Sequence, residues 1–232
     1  MTPKVPHPAR FSKAVLRVAY PFVKDCKTLF DPFCGVGGIS YLRTLGFKGR
    51  LVGTEIEPEW ANQSRDVGIE CLSASLFDAA FDHCSFDGIC TSPSYGNRLA
   101  DHHEAKDGSK RHTYRHYLGR PLSGGSSAGL QWGDKYRAFH VEAWRLCYGL
   151  LVPGGVFVLH ISDHIRKGEA QHVPERHLNA LSECGLVLEA SSQVKASRIR
   201  HGANHAARLP YEHIFVFRKP MRDAVSAADD AR

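Results

Sequence analysis

Apolar positions along the chain change period several times, and each change marks an element. Phe11, Val15, Val18 and Phe22 recur at helical spacing, which predicts an amphipathic helix over 12–24. Thr28–Phe30 is a short apolar run entering a glycine turn, the pattern of a buried strand. A helix is expected over Gly38–Leu45, closed by Gly46. Strands follow at Arg50–Ile56, Ile69–Ser73 and Phe86–Thr91, with a helix over Glu59–Val67 between the first two. Residues 96–133 are irregular and rich in Gly, Ser, His and basic side chains. A connection of that length inside a compact domain is usually functional or mobile. Tyr136, Phe139, Ala143, Leu146 and Leu150 then share one face of a helix that Asp134 is placed to cap. Val152-Pro153-Gly154-Gly155 reads as a turn into Val156–Ile161, a nearly continuous apolar run of the kind buried on both faces. Pro174 opens a helix ending at Cys184-Gly185, and strands at Leu186–Val194 and Glu212–Phe217 complete the pattern.

Strands alternating with helices predict an α/β fold, a doubly wound, mostly parallel seven-stranded Rossmann-like sheet. The last two strands have no helix between them, so the last is expected to run antiparallel. No repeat or linker divides the chain. It reads as a single domain over 1–220, with 96–133 as a long loop on the substrate side and 221–232 as a fraying tail.

Composition narrows the classes. With 232 residues and 43% apolar content, the chain can bury one substantial core. No apolar run approaches the roughly 18 residues of a membrane span, and the proline-rich start has no secretory core. Seven cysteines are scattered without a CxxC pair, a reducing-compartment pattern that predicts a cytoplasmic protein without disulfides. The formal charge is +6 and is concentrated. Lys106–Arg120 holds five Lys/Arg and one acid, and Lys195–Arg208 holds four and none. Such stretches suit a polyanion, so Arg111, Arg115, Arg120, Arg198, Arg200 and Arg208 are candidate phosphate contacts, with a solvated loop surface as the alternative. His102, His103, His112, His116, His201 and His205 lack a cysteine or carboxylate frame with ligand spacing, and no metal is expected.

Two motifs carry chemistry. Asp31-Pro32-Phe33-Cys34-Gly35-Val36-Gly37-Gly38 joins a predicted strand to a predicted helix. Glycine there lets the backbone approach a ligand. Glu55, 24 residues after Asp31 and at the next strand's end, is placed to accept hydrogen bonds from ribose hydroxyls. Glu57 is the alternative, or a solvated turn residue. The glycine spacing fits neither a dinucleotide fingerprint nor a triphosphate loop. A nucleoside without phosphates, such as S-adenosylmethionine, fits better. The second motif, Thr91-Ser92-Pro93-Ser94-Tyr95, puts a hydroxyl, a stiff carbonyl and an aromatic face at a strand end.

Asp-Pro-Phe-x-Gly-x-Gly followed by a Ser-Pro-x-Tyr strand end resembles the S-adenosylmethionine-dependent amino-methyltransferases of DNA, over His7 to Phe217. The resemblance implies a cofactor site of Phe11, Asp31, Pro32, Phe33, Gly35, Gly37, Glu55 and Ile56. It brings the segment His7–Phe11 against the methionine part. It also implies an acid at the adenine amino group. Asp78 is the candidate, Ser75 occupies the more usual position, and a loop or capping role for Asp78 stays open. Trp60 either stacks on adenine or packs its own helix.

The resemblance gives catalysis to Ser92 and the Pro93 carbonyl, which accept the hydrogens of a base amine, and to Tyr95, which stacks on a base flipped from duplex DNA. A leading serine goes mostly with cytosine N4; adenine N6, an RNA base amine and a DNA-binding pseudoenzyme are the other readings. Ser94 stands where the pattern has a second proline, which removes stiffness. Asn97 is a candidate for reading the base or holding the loop. No Pro-Cys dipeptide occurs, which argues against a thiolate adding to the cytosine ring.

Overall fold

The computed structural model of the chain describes residues 4–100, 112–196 and 209–221. Its strands are β1 (Thr28–Asp31), β2 (Arg50–Thr54), β3 (Glu70–Leu72), β4 (Phe86–Thr91), β5 (Leu151–Ile161), a small hairpin of β6 (Ile165–Arg166) and β7 (Glu169–Ala170), then β8 (Val187–Lys195) and β9 (Tyr211–Arg218). Seven of them form one sheet in the order β3-β2-β1-β4-β5-β9-β8. Pairings from β3 through β5 are parallel, and β9 is antiparallel to both neighbours. The expected doubly wound sheet with an antiparallel last strand is the fold observed.

Period-two alternation inside the apolar runs sorts side chains between two layers. Leu29, Leu51, Val156, Val158, Ile214 and Val216 face α1 (Lys13–Val23), which buries Val15, Leu16, Ala19 and Val23. Phe30, Val52, Ile89, Phe157, Leu159, Phe215 and Phe217 face the other way. They pack on Trp144, Cys147 and Leu150 of α4 (Asp134–Leu150) and on Leu181 of α5 (Val173–Glu183). Ser12 starts α1 by accepting the Val15 amide at 3.4 Å. The remaining helices are α2 (Pro58–Asp66) and the short α3 (Tyr114–Leu118). The strand order reverses between β1 and β4, so the crevice beyond their carboxyl ends is the switch point where open α/β sheets take ligands.

Several local expectations are corrected. Val152–Gly155 is not a turn, because β5 runs through it: Gly154 donates its amide to the Lys219 carbonyl and Lys219 returns one to Gly155, both at 2.9 Å. Asp134 is the first helical residue rather than the cap, which is Gly133. Gly38–Leu45 is a 3-10 helix, ended as expected by Gly46 in a left-handed conformation. The 96–133 stretch carries α3 and short 3-10 turns at Arg98–Ala100 and Ser127–Gly129. The tail from residue 222 lies outside the described residues.

Candidate active site

A cleft of about 860 Å³, counted to its open mouth, lies over the carboxyl ends of β1, β2 and β4. Of the expected cofactor residues, Phe11, Pro32, Phe33, Gly35, Glu55 and Ile56 line it. Asp31, Gly37 and Asp78 do not. Gly37 is needed for the turn itself: φ is +78°, and a Cβ would sit 2.6 Å from Val67 Cγ2. Gly35, at φ +52°, brings bare backbone beneath the His7 ring. Asp78 is exposed at the end of a 3-10 turn, whereas Ser75 and Leu76 reach the wall. Trp60 lines the cleft from a buried position, edge-on to His7 at 4.4 Å, and its buried Nε1 has no acceptor among the described residues.

Two carboxyls set the electrostatics. Glu55 accepts the Glu57 amide at 2.8 Å, and no Lys or Arg pairs with it among the described residues. Burial pushes its pKa up to about 7 against these backbone bonds. Asp31 stands behind the turn. Its Oδ1 accepts the Thr91 hydroxyl at 2.7 Å and the Phe33 amide at 3.1 Å, while buried Oδ2 has no hydrogen-bond partner among the described residues. Burial pushes its pKa to about 7 as well. Asp31 therefore joins the end of β1 to the end of β4, holding the glycine turn and the Ser-Pro-Ser-Tyr motif in register.

Ser92 and Tyr95 open into this cleft, with buried Pro93 between them. Their oxygens are 3.1 Å apart. Ser94 is held from two sides although it is not proline. Its hydroxyl donates to the Ser127 carbonyl at 2.9 Å, and its carbonyl accepts from Tyr136 at 2.7 Å. The Tyr136 bond is backed by a wire whose direction is fixed. Trp144 Nε1, a donor only, donates to His177 Nδ1 at 3.0 Å. A neutral His177 then carries its proton on Nε2, which faces the Tyr136 oxygen at 2.9 Å, so the tyrosine proton goes to Ser94. Burial keeps His177 neutral by lowering its pKa well below the ordinary value. Tyr136→Phe should lower turnover by about five- to tenfold, the cost of one such bond, with cofactor affinity unchanged. Single-turnover kinetics beside calorimetry checks this; unchanged turnover would leave the wire without a positioning role.

The far wall is α3 and the segment after it: Tyr114 from the helix, and Gly125, Ser126, Ser127 and Ala128 from the segment, line the cleft. Glu57 anchors it. Fully buried, Glu57 accepts the Ser123 amide at 2.8 Å and the Ser123 hydroxyl at 2.9 Å, and pairs with Arg120 at 2.9 Å. Arg120 also pairs with Glu59. Glu57 is thus no solvated turn residue, and Arg120 is engaged in this anchor. Of the other basic candidates, Arg115 lies half-buried in α3, and Arg111, Arg198, Arg200 and Arg208 lie outside the described residues. Asn97 Oδ1 accepts the Leu99 amide at 3.0 Å, a local bond at the start of the Arg98–Ala100 turn.

Asp163, His172 and Glu175 bring ligand-type atoms within 4.8 Å of one another. Asp163 uses both oxygens on the amides of His164, His172 and Val173, which caps α5. Residues the sequence pattern missed include Tyr136, His177 and His160. A histidine inside the apolar run Val156–Ile161 was the one visible signal.

No known family profile matches the chain, and no curated protein matches it. Solved structures do. TrmN from Thermus thermophilus matches with a TM-score of 0.54 at 19% identity, over 89% of this chain and 47% of that one. The chain thus spans about half the length of TrmN. The N-methyltransferase NodS from Bradyrhizobium japonicum WM9 matches with a TM-score of 0.55 at 14% identity, over 89% and 93% of the two chains. The cyclase SpnF matches with a TM-score of 0.55 at 14% identity, over 92% and 83%. The chain has the class I S-adenosylmethionine-dependent methyltransferase-like fold. A cyclase on the same scaffold means that function must be argued from the site.

Proposed function

We propose that this protein is an S-adenosylmethionine-dependent methyltransferase acting on the exocyclic amine of a nucleic-acid base, with cytosine N4 in duplex DNA as the preferred target. The observation that carries the proposal is that Ser92 and Tyr95 open into the same cleft as Glu55 and the glycine turn. NodS, at matching fold, is described as an N-methyltransferase, which agrees with an amine acceptor.

The cleft suits the cofactor in its donor set. Among the described residues, Glu55 is an acid without a cation partner, which suits a ribose diol, and Trp60 Nε1 is a buried donor without an acceptor. Phe11, Phe33 and Ile56 supply apolar walls. When bound, S-adenosylmethionine supplies an electrophilic methyl group. The chain's own part is positioning. A base amine is a poor nucleophile while its lone pair is delocalised into the ring. Ser92 Oγ and the Pro93 carbonyl accept its hydrogens, which turns the lone pair out of the ring plane, and Tyr95 supplies the stacking face. DNA is gripped by the two basic stretches, through Arg111, Arg115, Arg198, Arg200 and Arg208; Arg120 serves the cleft wall instead. Removing those charges should reduce the salt dependence of DNA binding by about 0.9 log-log slope units per lost phosphate contact.

Mass spectrometry of nucleosides, after incubation of duplex DNA with methyl-labelled cofactor, tests the reading. N4-methylcytosine is expected. N6-methyladenine, or a methylated RNA base amine, would move the target and keep the mechanism. 5-Methylcytosine would overturn the mechanism, and an absence of any methylated base would leave a nucleic-acid-binding relative without this activity.

Glu55 gives a second test. Glu55→Ala should weaken cofactor binding about tenfold or more, since bonds to a charged acceptor contribute on the order of 1.5–3 kcal/mol. Binding should also weaken as pH falls through about 7, where Glu55 takes up a proton. The linkage to folding has the opposite sense. Raised carboxyl pKa values stabilise the fold below the ordinary values of 3.8 and 4.5, and that contribution is lost as pH rises through about 7. Calorimetry at about pH 6 and about pH 8 on wild type and Glu55→Gln separates the two effects. A pH-independent affinity in the wild type would mean that another group holds the ribose.

A further inference from the structure

His160 sits on β5 among apolar neighbours, 2% exposed, and the scheme above leaves it without a task. Its ring stacks on Phe11 with centroids 5.6 Å apart and meets Tyr95 edge-on at 6.0 Å. Nδ1 lies 3.0 Å from Ser92 Oγ and 3.4 Å from the Tyr95 hydroxyl. On the other side, Nε2 lies 3.2 Å from Glu212 Oε2 of β9. Buried Nε2 makes no aligned hydrogen bond among the described residues, so this contact acts through charge rather than through ideal geometry.

We propose that His160 and Glu212 are positioning residues that fix the direction of the Ser92 hydroxyl. The inference rests on the base-amine reading and deepens it. A neutral imidazole has one N–H and one acceptor nitrogen, and the partner of one nitrogen decides the state of the other. A carboxylate 3.2 Å from Nε2 draws the proton there, which leaves Nδ1 as the acceptor. Ser92 then donates its proton to Nδ1. Tyr95 donates to Ser92 Oγ across 3.1 Å, so the two O–H bonds follow the two shortest separations in the cluster. One Ser92 lone pair remains for an amine hydrogen.

The other tautomer reverses this. With the proton on Nδ1, the ring donates to Ser92 and occupies a lone pair. The serine proton must then turn to Tyr95 or toward the amine, where donor would face donor. The same heavy atoms therefore lock the serine proton away from the amine only while Glu212 holds the ring proton on the far side; in the other tautomer that proton is shared between Tyr95 and the amine. Ser92 comes from the end of β4, His160 from β5 and Glu212 from β9, so three adjacent strands meet at one hydroxyl.

The test begins without substrate. In the free protein labelled with ¹⁵N at histidine, His160 should show a protonated Nε2 and an unprotonated Nδ1. A protonated Nδ1 overturns the proposal. Glu212→Gln should lower kcat by about 10- to 100-fold with S-adenosylmethionine Kd within about twofold. His160→Asn, whose side-chain amide reaches the Nδ1 position, should keep more than about a tenth of the activity, whereas His160→Leu should fall about 100-fold. An unchanged kcat in Glu212→Gln, or equal loss in the Asn and Leu variants, overturns it. If the wild type methylates no base amine, the functional reading fails, and the ¹⁵N spectrum alone decides where the ring proton sits.

Discussion

Ser92→Ala is expected to lower single-turnover methylation by about 100-fold or more while leaving cofactor affinity within about twofold. The asymmetry follows from where the side chain points. Ser92 lines the cleft at the end of β4, with β1 between it and the β2 end that leads to Glu55, and its oxygen is bonded to Tyr95 and His160. Alanine removes one of two acceptors for the amine. An amine that is no longer aligned forfeits several kcal/mol of near-attack positioning, and each 1.4 kcal/mol is about tenfold. Tyr95→Ala should lose a similar amount through the stacking face. Tyr95→Phe should lose less, because the ring remains and it is the hydroxyl, with its contacts to Ser92 and His160, that goes. Equal turnover in wild type and Ser92→Ala would remove the serine from the chemistry. A base adduct trapped on cysteine would replace the mechanism. Cys34 is the cleft-lining cysteine, and its contact with Cys71, reinforced by burial, holds its thiol well above the ordinary range.

What the sequence carried, and what it did not, follows from the range of each signal. Seven strands were legible because apolar runs bounded by turns are local, and Phe86–Thr91 matched residue for residue. Glu55 was legible because it sits at a fixed place, the end of the strand after the glycine turn. Its neighbour Glu57 was ambiguous because its partners, Arg120 and Ser123, lie more than sixty residues away. Arg120 looked like a phosphate contact for the same reason. Basic character is visible in sequence, but its neutralisation by a distant acid pair is not. Val152–Gly155 misled because Pro-Gly-Gly signals a turn locally, while pairing with residues 218 and 219 keeps the strand going. The Trp144–His177–Tyr136 wire joins two helices to a strand end and has no sequence spacing at all. Ser94 illustrates the limit: a missing proline suggested slack, and the fold restores the restraint with two hydrogen bonds.

Glu57→Ala should release the wall of the cofactor cleft. Glu57 is fully buried and holds the segment after α3 through the Ser123 amide, the Ser123 hydroxyl and Arg120. Removing one member of a buried charged set typically costs about 3–5 kcal/mol, since the remaining charge stays uncompensated. Here the remaining charge is better placed. The Arg120 side chain is 34% exposed and keeps Glu59, so the loss is dominated by the Ser123 bonds, about 2–3 kcal/mol. The opening equilibrium of the segment should therefore shift by about 30- to 150-fold. Hydrogen exchange of residues 119–129 reads that shift directly. Cofactor affinity should fall only to the extent that the open form becomes populated, because a ligand bound to the closed form pulls the equilibrium back. Arg120→Ala should have the smaller effect, since both Ser123 bonds survive it. Glu57→Gln should fall between, keeping an acceptor for Ser123 while losing the charge that faces Arg120. If exchange in 119–129 is the same in wild type and Glu57→Ala, the segment is held by other contacts, such as the Ser94–Ser127 bond, and the buried acid is not its anchor.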